Sequence, residues 1–83
     1  METVYRIYDV EGKDLYIQIQ NHYFKLSEGK QAYRDSKITP DKKDDSILIE
    51  LGEGDLRLNL TFGVEEGEKF ALALLNLCHS IKY

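Results

Sequence analysis

Residues 55–83 read DLRLNLTFGVEEGEKFALALLNLCHSIKY, and this stretch decides the fold. From Leu56 to Phe62 every second residue is apolar, which is the pattern of a β-strand with one buried face. After Gly63 the apolar spacing becomes helical, and it predicts a helix from about Val64 to His79 or beyond. The chain is therefore expected to end in a strand that leads directly into a helix.

The predicted helix carries apolar side chains on two sides. At about 100° per residue, a first stripe has the spacing of a helix that packs on a sheet, and it contains Phe70, Leu74, Leu77 and Ile81. A second stripe lies roughly opposite and contains Leu72, Leu75, His79 and Tyr83. If a sheet covers only the first stripe, the second is exposed and predicts a partner-binding surface. The alternative is that a strongly curved sheet, or the loop at 39–46, covers both stripes within one chain.

The first half of the chain reads as short strands separated by polar turns. Residues 4–10 and 15–20 predict a hairpin with its turn at 11–14. The apolar positions change phase after residue 20, which predicts a bulge or turn there. Apolar alternation from 22 to 26 continues the sheet, and residues 31–38 predict a weak edge strand.

The second half contains a loop and a further hairpin. Residues 39–46 include a proline and no apolar side chain, so they predict a loop. Residues 47–51 pair with the final strand through the turn at 52–55. The expected architecture is an α+β fold: an antiparallel meander of about five to six strands, curved or barrel-like, with one C-terminal amphipathic helix packed on it. This element order resembles pleckstrin-homology-like domains and the Pur and PC4 single-strand-binding modules.

Size and composition indicate one globular domain that spans residues 1–83. The chain is 42% hydrophobic and 31% charged, which is a globular rather than a disordered composition. The first residues, METVYR, lack the pattern of a secretory signal, and the longest apolar run covers six residues, against about 20 for a membrane span. The single cysteine, Cys78, cannot form an internal disulfide, and this favours a reducing, cytoplasmic location.

Catalytic and metal chemistry find no support in the residue spacing. Cys78 and His79 are neighbours on a helix and point about 100° apart, so they do not form a nucleophile and base pair. Cys78 is expected to be a buried structural thiol near the first stripe. His22 and His79 are the only histidines, and neither has ligands at metal-binding spacing. We therefore predict a protein with no catalytic residues, no metal and no cofactor.

The first functional hypothesis is a small protein-interaction module of the adaptor or inhibitor type. It would bind a partner protein, or itself as a homodimer, through the second stripe of the helix. The net charge is −4, and residues 44–83 carry eight Asp and Glu against three Lys and Arg. A basic partner surface, such as one that normally receives nucleic acid, would suit this half of the chain.

The alternative hypothesis is a single-stranded nucleic-acid-binding module. Such modules combine stacking aromatic residues with basic ones, and the candidates in the first half are Arg6, Tyr8, Tyr16, Tyr23, Lys25, Tyr33 and Arg34. The acidic total counts against strong backbone binding. The same residues also suit an ordinary half-exposed sheet face, where cross-strand pairs stabilise the sheet.

Overall fold

The computed structural model describes residues 4–11 and 14–83. These residues form four strands and two helices: β1 (Tyr5–Tyr8), β2 (Leu15–Asn21), α1 (Leu26–Ile38), β3 (Ile47–Glu53), β4 (Leu56–Phe62) and α2 (Val64–Lys82). The four strands make one antiparallel sheet in chain order. The turn predicted at 11–14 includes residues 12 and 13, which lie outside the described residues.

The α+β class, the hairpin of β3 and β4 and the C-terminal helix confirm the sequence predictions. The prediction of five to six strands in a curved or barrel-like sheet is not confirmed, because the described residues form four strands in one open sheet. The predicted edge strand at 31–38 is part of α1, and the predicted strand at 22–26 is a bend that leads into this helix. Because α1 separates β2 from β3, the elements do not form the uninterrupted meander on which the family resemblance was based.

Local contacts explain why α1 is a helix. The backbone N–H of Lys25 donates to the Glu28 carboxylate at 2.9 Å, which is half of a capping box. One turn later, the Gln31 amide donates to Asp35 at 2.7 Å, an i,i+4 pair that stabilises helices. These polar pairs outweigh the weak apolar alternation of the segment.

The strand register sorts the side chains onto two faces. Apolar side chains meet across all four strands in rows such as Tyr5, Ile19, Ile49 and Leu60. We call this side the apolar face; among the described strand residues its members are Tyr5, Ile7, Leu15, Ile17, Ile19, Ile47, Ile49, Leu51, Leu56, Leu58, Leu60 and Phe62, with Asn21 and Glu53 as polar exceptions. We call the opposite side, which carries Arg6, Tyr16, Glu50 and Arg57, the polar face.

The buried core is small. Of the described apolar residues, Tyr16 and Ile49 alone are buried. The Tyr16 ring lies on the polar face with the guanidinium groups of Arg6 and Arg57 at 4.3 and 5.4 Å from its centroid, and its hydroxyl donates to Glu50 at 3.1 Å. Ile49 is therefore the one buried apolar side chain described on the apolar face.

Gly52 provides the space for the Tyr16 ring. It lies directly opposite Tyr16 in the register, and a methyl group at this position would overlap the ring carbons. We expect Gly52→Ala to displace the ring and lower the free energy of unfolding by about 1–3 kcal/mol in urea denaturation. In a Tyr16→Ala background the same substitution should cost much less, because the overlapping ring is gone. Equal costs in both backgrounds would contradict this explanation.

Candidate functional site

The first turn of α2 is anchored to the loop before β3 and to α1. The backbone N–H of Val64 donates to the Asp44 carboxylate at 2.8 Å, and the other carboxylate oxygen accepts from the Ser46 N–H at 3.0 Å. Lys37 of α1 forms a hydrogen-bonded ion pair with Glu65. The hydrogen bond to the Glu65 carboxylate raises the pKa of Lys37. These contacts fix the direction in which α2 leaves the sheet.

Beyond its first turns α2 is exposed on all sides. None of its residues, all of which are described, is buried. The side chains of the first stripe are 53% to 78% exposed, and Leu72, Leu75 and Tyr83 of the second stripe are 49% to 87% exposed. The prediction that the sheet buries the first stripe is therefore wrong. The helix lies near the sheet from its first turns, where Gly67 approaches the Phe62 ring, as far as Leu74, which lines a groove with Ile19 and Ile49.

The four predicted partner-binding residues lie along one side of α2. His79 and Tyr83 make an edge-to-face ring contact with centroids 5.8 Å apart. Leu72 and Leu75 continue the same side toward the start of the helix. The second stripe is thus a continuous exposed surface in the single chain, where the sequence had left open whether it would be exposed or covered.

The apolar face provides a second uncovered surface. Leu58 is 68% exposed, and Ile7, Ile17 and Leu51 are also exposed. A largely apolar groove on this face is lined by Ile17, Ile49, Leu51, Leu60, Phe62, Glu66 and Phe70. Sequence reasoning did not identify this surface, because it assumed that one helix would cover the sheet. The candidate site therefore consists of α2 together with the uncovered part of the apolar face.

The structure divides the residues predicted to bind single strands. Arg6, Tyr8 and Tyr16 share the polar face, where Arg6 donates to the Gln18 side chain at 2.9 Å and a hydrogen bond with Tyr8 raises the pKa of Arg6. The other four lie in the bend at 22–25 and in α1. Tyr33 lines a groove with Ile19 and Ile47, on the other side of the sheet. These residues therefore do not form one surface.

Tyr23 and His22 have hydrogen-bond partners in the loop before β3. Tyr23 donates to the Asp45 carboxylate at 2.6 Å, and His22 Nδ1 lies 2.8 Å from the Asp45 carbonyl oxygen. Cys78 is exposed, so its prediction as a buried thiol is wrong, because α2 stands away from the sheet at this point. Within the described part of the chain, no three His, Cys, Asp or Glu residues are placed to hold a metal ion. No described helix is both long and apolar enough to cross a membrane.

Asp44 is expected to stabilise the start of α2. Its carboxylate accepts two backbone N–H groups, so Asp44→Ala should lower the free energy of unfolding by about 1–2 kcal/mol in urea denaturation at one protein concentration. Asp41→Ala removes the same charge from an exposed position in the same loop and should change stability by less than about 0.5 kcal/mol. Equal effects of the two substitutions would contradict the anchoring role.

Tyr23 is expected to stabilise the fold to a degree that depends on pH. The hydrogen bond to Asp45 raises the pKa of Tyr23 above its ordinary value of 10.0. Because the folded pKa exceeds the unfolded one, the stabilisation is fully present below about pH 10 and is lost as the pH rises through the folded pKa. Tyr23→Phe should cost about 1 kcal/mol at pH 7, and this difference should shrink above pH 10 in urea denaturation. The control Tyr5→Phe, at an exposed position, should show neither effect.

Comparison with known proteins identifies no relative. No protein-family model matches the chain, and no curated protein or solved structure resembles it at a significant level. The assignment of the site therefore depends on its geometry.

Proposed function

We propose that the chain is a non-catalytic protein-interaction module that binds through α2, either to a partner protein or to a second copy of itself. The observation that supports this proposal is that α2 has two apolar stripes and no buried residue. A helix that is apolar on several sides is normally surrounded by protein. Since its own sheet leaves it exposed, another chain is the natural source of that cover.

The chemistry of the second stripe suits a protein interface. Leu72 and Leu75 offer aliphatic anchors, and Tyr83 offers a large ring with a polar end, a residue type enriched in interface cores. The start of the helix carries Glu65, Glu66 and Glu68. An adaptor or inhibitor role toward a basic partner surface is consistent with this charge. Binding of single strands has less support, since Arg6 and Arg57 already cover the Tyr16 ring.

The variant Leu72→Glu with Leu75→Lys tests the second stripe. It should separate an assembly held by α2 into single chains, because it places charges at apolar interface positions. Light scattering measures the mass, and far-UV circular dichroism measures the fold. The matched control, Asn76→Glu with Ser80→Lys, adds the same two charges to the polar strip of α2 and should leave the mass unchanged.

Two combinations of results bear on the proposal. A lower mass for the leucine variant alone supports it. A monomeric wild-type chain together with an unfolded leucine variant contradicts it, since the stripe would then belong to the core of a single chain.

A further inference from the structure

We infer that the partner of α2 is a second copy of this chain, in a dimer whose two α2 helices lie between the two apolar sheet faces. This inference rests on the proposed function and specifies its partner. The dimer has three layers: a sheet, a pair of helices and the second sheet. Such an arrangement is isologous, so the same surfaces of both copies are buried.

The exposed area of one chain has the size that such a dimer requires. The chain exposes 6958 Å², whereas a folded monomer of 9.6 kDa is expected to expose about 5,100 Å². The excess is about 1,900 Å² per copy, or somewhat under 4,000 Å² for two. Obligate homodimers bury roughly 2,000–5,000 Å² in total. The radius of gyration, 14.8 Å, also exceeds the value of about 12 Å expected for a compact chain of 83 residues.

The two stripes of α2 favour a position between two sheets. A helix that packs against one neighbour needs one apolar stripe. The stripes of α2 lie on roughly opposite sides, and both are exposed. In the middle layer of the dimer, one stripe faces one sheet and the other stripe faces the second sheet. Pairing of helices alone would leave both apolar sheet faces in water.

The apolar face and the middle of α2 are both poor in charged residues, so each suits the other as an interface surface. Residues 70–81 contain no Lys, Arg, Asp or Glu. Glu53, at the end of β3, is the one charged residue among the described members of the apolar face. Depletion of charge is typical of interface cores. A strongly charged partner would find few complementary groups here, since Glu53 lies at the end of the apolar face and Glu66 and Glu68 line its grooves near the start of α2. A second copy supplies the same largely uncharged apolar area.

The anchored start of α2 holds the helix in a position that leaves part of its own sheet uncovered. Asp44 and Lys37 hold its first turn, and the helix contacts the sheet no further than Leu74 in the described grooves. The uncovered part of the apolar face around Leu58 therefore remains for a helix from the other copy.

Leu58→Asp tests the sheet side of this interface, which the variants of α2 do not touch. Leu58 is 68% exposed in the single chain, so the substitution removes little from its own core. In light scattering, the wild-type chain should have about twice the monomer mass of 9.6 kDa. Leu58→Asp should raise the dimer dissociation constant by at least about 100-fold, because it buries a charge opposite apolar side chains. The control Thr61→Asp places the same charge on the polar face of β4 and should leave the dimer intact.

A second measurement on the wild-type chain does not depend on the folding of a variant. The dye ANS fluoresces on exposed apolar surface. The layered dimer should bind little dye at high protein concentration. Dilution that separates the copies should increase the dye emission per chain.

The outcomes separate the inference from the proposed function. A monomeric wild-type chain overturns the inference. A wild-type dimer that binds ANS strongly, or that keeps its mass with Leu58→Asp but loses it with the α2 leucine variant, also overturns it and supports pairing by the helices alone. Loss of the dimer with Leu58→Asp but not with Thr61→Asp supports the three-layered arrangement.

Discussion

The hydrogen bond from the Val64 N–H to the Asp44 carboxylate determines where α2 points, and the exposed surfaces of the molecule depend on it. A helix that starts one residue after a strand can leave the sheet in several directions. Here the first turn is held from two sides, by Asp44 in the loop and by Lys37 in α1. The helix consequently runs past the sheet rather than along it. The apolar stripes of α2 and much of the apolar face therefore remain uncovered.

This geometry has an energetic meaning. Burial of apolar area is the main favourable term in folding, and a small domain has only a narrow margin of stability. Two buried apolar side chains in the described structure provide little of that burial. Association through the apolar face and α2 would bury the apolar area that folding leaves exposed. The same surfaces would then contribute to both folding and binding. A chain that associates in this way would gain much of its stability from the association.

The sequence predicted the elements whose patterns are strong and local. The alternation in LRLNLTF is enough to identify β4, and the helical spacing after Gly63 identifies α2. Helix α1 was missed because its segment contains few apolar residues, and the capping pair of Lys25 and Glu28 was overlooked. The sequence left open whether the second stripe is exposed or covered within the chain, and it did not predict the exposure of the first stripe and of Cys78. The exposure of these residues depends on the contact between Asp44 and Val64, which are twenty residues apart in the sequence. A periodic pattern of apolar residues cannot predict such a contact.

The polar face bears on how many copies an assembly of this protein could contain. The Tyr16 ring lies beneath two guanidinium groups, and its hydroxyl is bonded to Glu50, so the charged groups of this face already have partners in their own chain. With both polar faces directed outward, the inferred pair of chains would present hydrated charge at its two outer surfaces. Among the described strand residues of each polar face, the apolar side chains are Tyr8, Tyr16 and Leu48 alone, which is little apolar area for a third sheet. Growth into larger stacks would require the removal of water from these groups without compensation. In the inferred dimer, the network around Tyr16 would therefore disfavour the addition of a third sheet and favour a closed pair over open-ended assembly.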